Sequence, residues 1–283
     1  MTRRRFAAPP RPPTPAPMSK VVTSLTNPLV KDIRALAMRK TREEAGLFVA
    51  EGLKLVADAI EGGWPIRVLV HRAGEDKPML ARAIAATHRA GGEVVEVTQD
   101  ILEKLSRRDN PQTVIGVFEQ RIEALRTLKP SPDALWVALD RVRDPGNLGT
   151  IIRTADAAGA EGVVLVGETT DPFGVEAVRA TMGSIFNLRL AAGSAGDFLA
   201  WRKSYRGRIV GTHLKGAVDY RTLDYRGPRL LLMGNEQQGL SDELAAACDD
   251  IVKIPMRGRA DSLNLAVATG VMLFEIARER LQL

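Results

Sequence analysis

Cysteine is nearly missing from this sequence: Cys248 is the only one among 283 residues. A lone thiol excludes an internal disulfide framework and any cysteine-rich zinc site. It fits a reducing compartment, so the expected location is the cytoplasm. Histidine is almost as scarce, with His71, His88 and His213 far apart and without ligand spacing, so no metal is expected. No apolar run approaches the length of a bilayer span, and no membrane association is expected. Neither half of the chain has a G-x-G-x-x-G after its first strand, which argues against an ordinary dinucleotide-binding enzyme.

Charge is abundant, but its distribution weakens the obvious inference. The formal net charge is +6, yet residues 1–20 carry four arginines and Lys20 with no acid. Without them, 35 basic residues face 34 acidic ones. A case for nucleic-acid binding therefore has to rest on local clusters rather than overall charge. Residues 1–20 are also Pro-rich and lack a hydrophobic period, and are expected to be a disordered tail. Met18 is a candidate alternative start. No apolar segment follows the arginines, so a secretory signal is not expected.

From Thr23 to about Gln120 the pattern is mixed α/β. Helices are expected over Pro28–Lys40, Gly52–Glu61 and 78–91, and strands at Phe48–Val49, 67–71, 93–97 and 113–119. Residues 121–134 carry Pro130 and Pro132 and read as a linker. A second α/β unit occupies 135–283, with strands at 135–140, 162–167, 208–214, 229–234 and 250–256. A helix over 148–160 completes a βαβ unit at its start. A short helix is expected at 241–248. The last helix, 262–281, is apolar around most of its circumference. Leu263, Val267, Val271, Phe274 and Ala277 recur at helical spacing, while Leu265, Met272, Leu273 and Ile276 widen the face. Such a helix is too apolar to lie bare on a monomer, and a homodimer is expected.

Three loops of the second unit stand out. In DRVRDPGNLGTIIR (140–153), Asp144-Pro145-Gly146 is a turn signal and Asn147 a candidate helix cap. Arg153 follows inside a helix of otherwise small or apolar residues. By itself it reads equally as a solvent-facing charge or as a guanidinium aimed at a phosphate or reacting oxygen. In MGNEQQGLSDE (233–243), a buried apolar strand runs into Gly234, Glu236 and Gly239. Ligands in α/β proteins bind beyond the carboxyl ends of the strands, where this loop falls. In IPMRGRADSLNLAVATG (254–270), Pro255 ends a strand, Gly258 frees the backbone, Ser262 is the expected cap of the last helix, and Asn264 follows.

Separately these signals are weak. In order, N-x-G-x-x-x-R, G-x-E-x-x-G-L-S and I-P-M-x-G-x-x-x-S-L-N-L-A-V-A resemble the three motifs of the SpoU family. These are TrmH-type, S-adenosylmethionine-dependent RNA ribose 2′-O-methyltransferases of the SPOUT superfamily. VRATMGSIFNLRL (178–190) is similar to the family's segment between the first two motifs, with Thr181 where serine is commoner. SLTNPLVKDIRAL…EEAGLFVAEG is similar to the small RNA-binding domain that often precedes the catalytic one. The resemblance spans about residues 21–283. It implies a C-terminal trefoil-knotted SPOUT-type domain with a mainly parallel sheet (135–283), preceded by a small α/β, ribosomal-protein-like RNA-binding domain (21–120). Unknotted chains are the general rule. By matching positions, backbone groups around Thr212, Gly234, Ile254 and Leu263 would hold S-adenosylmethionine.

The implied reaction carries a methyl group from a sulfonium to a ribose 2′-hydroxyl. The leaving group is good and the nucleophile poor, so the site must align the oxygen and help remove its proton. Arg153 matches the residue that activates that hydroxyl. A guanidinium ordinarily keeps its proton. Either a phosphate perturbs it, or it acts electrostatically while another group accepts the proton. Asn147, Glu236, Ser262 and Asn264 are expected to orient. Lys31, Arg34, Arg39, Lys40 and Arg42 form one candidate RNA-binding cluster, Arg202, Lys203, Arg206 and Arg208 a second, and Arg179 is a further candidate. Ribosomal RNA is favoured over tRNA because of the extra N-terminal domain. An inactive RNA-binding module is the rival, and the intact motif residues argue against it.

Overall fold

The computed structural model describes residues 20–106, 111–213 and 218–281. The expected tail lies outside these, except for Lys20, which opens strand β1 (Lys20–Val22).

The first unit continues with α1 (Pro28–Ala35), α2 (Arg39–Ala45), β2 (Leu47–Glu51), α3 (Leu53–Glu61), β3 (Ile66–Arg72), α4 (Pro78–Arg89), β4 (Glu93–Val97), α5 (Gln99–Ser106) and β5 (Val114–Glu119). Its sheet runs β1-β4-β3-β5-β2, with β5 antiparallel to both neighbours. The single helix expected over Pro28–Lys40 is two helices. Leu36 caps the first, Met38 is extended, and α2 starts in a new direction. The break turns Arg42 inward, where its Nη1 donates to the Leu36 carbonyl at 2.8 Å. Helix α5 was not expected; its eight residues bury Ile101 and Leu102.

The stretch expected as a linker is packed rather than loose. It contains β6 (Glu123–Ala124), which pairs with a strand of the second unit, and it buries Leu125 and Leu128. The chain then runs through β7 (Leu135–Asp140), α6 (Pro145–Ala157), β8 (Gly162–Val166), α7 (Val175–Ala180), β9 (Arg189–Gly193), α8 (Ala195–Arg202), β10 (Arg208–Thr212), β11 (Val218–Asp219), β12 (Arg229–Met233), α9 (Asp242–Ala246), β13 (Asp250–Lys253) and α10 (Leu265–Ala277). The eight strands lie in the order β11-β13-β10-β12-β7-β8-β9-β6, all parallel.

Strand β7 occupies the middle of this sheet and is buried along its whole length, as a central parallel strand covered on both faces must be. Its side chains alternate. Leu135, Val137 and Leu139 join one core with Ile151 and Ile152 of α6 and Leu273 of α10. Trp136 and Ala138 join another with Phe198 and Trp201 of α8. With every strand pointing the same way, the loops after β7, β12 and β13 gather along one edge.

The two units share a core. Phe48 packs against Phe173 at a centroid distance of 4.9 Å, and Phe186 sits edge-on to Trp64 at 5.0 Å. Trp64 donates its indole N–H to the Phe186 carbonyl. Beside this cluster, Arg42 reaches Asp171 through Nε (2.8 Å) and Nη2 (2.6 Å), with side chains only 5% and 13% exposed. Removing one partner of such a buried pair strands the other's charge. Arg42→Met is therefore expected to destabilise the chain by about 3 kcal/mol, read as a lower denaturant midpoint; an unchanged midpoint would show that the pair contributes nothing.

Candidate functional site

Along the loop edge of the sheet lies a cleft of about 690 Å³, which Asn147, Thr212, Gly234, Glu236, Ile254, Ser262, Leu263 and Asn264 help to line. All three motifs thus send residues to one place. The local geometry explains how each arrives there.

Helix α6 is capped by Asp144, not by Asn147 as expected: the Asp144 carboxylate accepts the Asn147 N–H at 2.6 Å, and Pro145 begins the helix. Relieved of capping, the Asn147 amide serves two other partners. Its Nδ2 donates to Glu236 Oε1 at 3.3 Å, and its Oδ1 accepts from Asn264 Nδ2 at 2.9 Å. Glu236 also receives the Arg143 and Asp144 N–H groups, both at 3.4 Å. Asn264, rather than Ser262, caps α10, its Oδ1 accepting from Ala266 and Val267. Ser262 is exposed and donates to Asp261. The chain Glu236–Asn147–Asn264 joins all three motifs by side-chain hydrogen bonds.

The loop carrying Glu236 is held tight. Asn235 and Gly239 exchange two backbone hydrogen bonds of 2.9 Å, and Gly239 adopts φ +70°. Asn235 Oδ1 accepts from the Gln237 and Gln238 amides. A Cβ on Gly234 would overlap the Leu240 nitrogen and the Gly239 carbonyl. The glycine at 234 is therefore needed to close its own loop.

The cleft suits an elongated ligand with polar and apolar parts. Met233, Val252, Ile254 and Leu265 give it an apolar floor, and the amides and Glu236 give it a polar rim. Residues 254–263 make no backbone–backbone hydrogen bond to any other described residue, so their N–H and C=O groups are available to a ligand. Thr212, Gly234, Ile254 and Leu263 all lie on this cleft. The donor set fits an adenosine-bearing sulfonium: backbone groups for a base, a carboxylate for a cation. Among the described residues no three His, Cys, Asp or Glu side chains converge as metal ligands. Cys248 is half-buried, and desolvation pushes its thiol up to about 12, which removes it as a nucleophile.

Arg153 does not line the cleft. Its side chain is exposed on α6 and makes no hydrogen bond to a described residue. Six positions beyond Asn147, at about 100° per residue, it lies about 120° around the helix from that side chain. Its neighbour in the chain, Thr154, lies against Gly270 of α10. On α10, Met272, Leu273 and Ile276 are buried in their own unit, but Val267 is 53% and Phe274 48% exposed.

The basic candidates divide. Lys31, Arg34 and Lys40 are exposed. Arg39 is exposed but bonded to Glu43 and to the Thr169 carbonyl. Arg42 is buried. Arg179 is engaged between the units, donating to Glu51 Oε1 and the Ser106 carbonyl rather than standing free for RNA. Arg202 and Arg208 pair with Asp249 and Asp250. Sequence reasoning missed Asp140, Arg141, Asp144 and Asn235. An Asp before Pro, with its N–H partner three residues on, was the available signal for Asp144.

A parallel sheet, a cleft beyond its carboxyl ends and a rim of amides with one carboxylate define an α/β enzyme that uses an organic cofactor. The chain belongs to the SpoU rRNA methylase family. Residues 134–274 match that family, and residues 27–116 match the MRM3-like substrate binding domain. The chain is 36% identical over 253 residues to the 23S rRNA (uridine(2479)-2′-O)-methyltransferase of Streptomyces viridochromogenes, covering 87% of this chain and 88% of that one. It is 28% identical over 257 residues to the 23S rRNA (guanosine(2553)-2′-O)-methyltransferase RlmP of Bacillus subtilis (strain 168), covering 91% and 99%. The crystal structure of an AdoMet-bound rRNA methyltransferase from Sinorhizobium meliloti superposes with a TM-score of 0.88 at 56% identity, covering 94% and 99%.

Gly234→Ala is expected to lower the melting temperature by several degrees, because the added methyl must displace the 239–240 backbone. An unchanged melting temperature would contradict the loop-closure role.

Proposed function

We infer that this protein transfers a methyl group from S-adenosylmethionine to a ribose 2′-hydroxyl of ribosomal RNA. The observation that carries the reading is the Glu236–Asn147–Asn264 chain, which ties the three family motifs together on one cleft. When bound, S-adenosylmethionine supplies an electrophilic methyl on a sulfonium. Thr212, Gly234, Ile254 and Leu263 hold it through backbone groups. Asn147, Glu236, Ser262 and Asn264 orient the reacting groups, and the guanidinium of Arg153 favours the developing charge on the ribose oxygen.

In this reading residues 21–120 are the RNA substrate-binding domain and residues 135–283 the methyltransferase domain, with 121–134 packed on the latter. Lys31, Arg34 and Lys40, with Arg39, offer charge to RNA phosphates. The C-terminal part is a trefoil knot. This is supported by the path of the chain, which leaves β13 on the far side of β10 and reaches Asn264 beside Asn147, across the ends of β10 and β12. The protein works in the cytoplasm, where ribosomal RNA is found; among the described residues no helix is long and apolar enough to cross a membrane.

The active unit is a homodimer paired through the bare face of α10, around Val267 and Phe274. Arg153 is next in the chain to Thr154, which lies against Gly270 of α10, and it does not line the cleft of its own chain; both support its serving the partner's cleft. Met272, which the sequence places on the apolar surface of this helix, is buried in its own core, so Phe274→Glu is the variant that separates the protomers.

Mapping ribose methylation in total RNA with and without the protein tests the reaction: loss of one 2′-O-methyl group from ribosomal RNA is expected, and an unchanged map contradicts it. The composite site has its own test. Arg153→Ala and Glu236→Gln chains, each inactive alone, should regain about a quarter of wild-type activity when co-refolded, since half the dimers then hold one intact site. No recovery in mixed dimers would place Arg153 and Glu236 in the same chain's site.

A further inference from the structure

Arg141 has a backbone conformation that side chains disfavour. It sits at φ +51°, one of two non-glycine residues at positive φ among those described. It follows the last residue of β7, and its N–H continues the ladder to the Val166 carbonyl at 2.9 Å. Left-handed backbone at such a position persists only where surrounding contacts determine it.

Those contacts are in view. The guanidinium binds the buried Asp140 carboxylate twice, from Nε at 2.8 Å and from Nη2 at 3.0 Å. Its third nitrogen, Nη1, donates to Gln238 Oε1 at 3.0 Å. Its carbonyl accepts from Asn235 Nδ2 at 2.8 Å. The same Asp140, only 2% exposed, accepts the Ser241 N–H at 3.2 Å. The loop over Asn235–Ser241 is thus pinned at both ends and at its tip to the residues that end β7. Glu236 lies inside this span, and its own hydrogen bonds of 3.3–3.4 Å to Asn147, Arg143 and Asp144 are too long to fix it unaided.

We propose that Arg141 is a positioning residue: with Asp140 it latches the Asn235–Ser241 loop through Gln238 and so holds Glu236 opposite Asn147. A planar guanidinium can serve Asp140 and Gln238 together, which a lysine ammonium at the same place cannot do with fixed geometry. The strained backbone turns the side chain across the gap between the two loops. This inference rests on the function proposed above only in its catalytic part; the latch itself belongs to the protein without ligand.

Two substitutions break the latch from opposite ends. Arg141→Lys keeps a cation beside the buried Asp140, and Gln238→Leu replaces an exposed acceptor with a group of similar size. In the ligand-free protein, amides of peptide 234–241 should exchange at least about threefold faster in either variant, with no further gain in the double variant. In methyl transfer to ribosomal RNA, each should lower kcat about tenfold while leaving KM for RNA within threefold, and the double variant should match the singles. Exchange like that of wild type, rates within twofold, or losses that multiply in the double variant would overturn the latch. A wild-type protein that does not methylate ribosomal RNA would instead refute the proposed function, leaving exchange to judge the latch.

Discussion

One hydrogen-bonded chain, Glu236–Asn147–Asn264, is the constraint on which the site depends. Each of its members comes from a different loop, separated by 89 and 117 positions along the sequence. An amide in the middle carries its donor and its acceptor on separate atoms, so it can donate to a carboxylate at one end and accept from a second amide at the other. Each loop must therefore arrive with its side chain already committed to this pairing. The capping arrangements follow from it. Asp144 caps α6 so that Asn147 does not have to, and Asn264 caps α10 with its oxygen while its nitrogen faces Asn147.

The parallel sheet makes the meeting possible. Its shared strand direction brings the ends of β7, β12 and β13 to one edge, and its central strand is buried on both faces, so the edge is a rigid rim. The first unit is fastened to this frame by an aromatic cluster and by Arg42–Asp171. That fastening gives the exposed lysines and arginines of α1 and α2 a fixed relation to the cleft. In the function proposed for these residues, electrostatic attraction to phosphates would act on an orientation that packing has already set.

Much of this was legible in the sequence, for identifiable reasons. The buried strands read as apolar runs, and the three loops read from glycines, caps and polar residues placed just beyond them. The side chains that pair across the motifs were all named. Their local roles were less readable. A cap is decided by which of several neighbouring Asp, Asn or Ser side chains has nothing else to do, and Asn147 and Ser262 lost that contest to Asp144 and Asn264. Which basic residues are already paired within the chain was not readable because their partners are remote: Asp171 lies 129 positions from Arg42, and Asp249 lies 47 from Arg202. The face on which Arg153 points could have been computed from its spacing to Asn147, but only once Asn147 was known to face the cleft. Strand β6 is two residues long and carries no pattern at all.

The account stands or falls on whether the Asn264 amide is needed for its hydrogen bond to Asn147 or only for its cap. Asn264→Asp separates the two, because aspartate caps a helix as well as asparagine but turns the donor facing Asn147 Oδ1 into a second acceptor. Single-turnover methyl transfer to ribosomal RNA at saturating S-adenosylmethionine should fall by about a hundredfold, on the order of the loss of one fixed orienting group, while the melting temperature stays within a degree or two of wild type. A rate within a few-fold of wild type would contradict the central role given to this hydrogen-bonded chain.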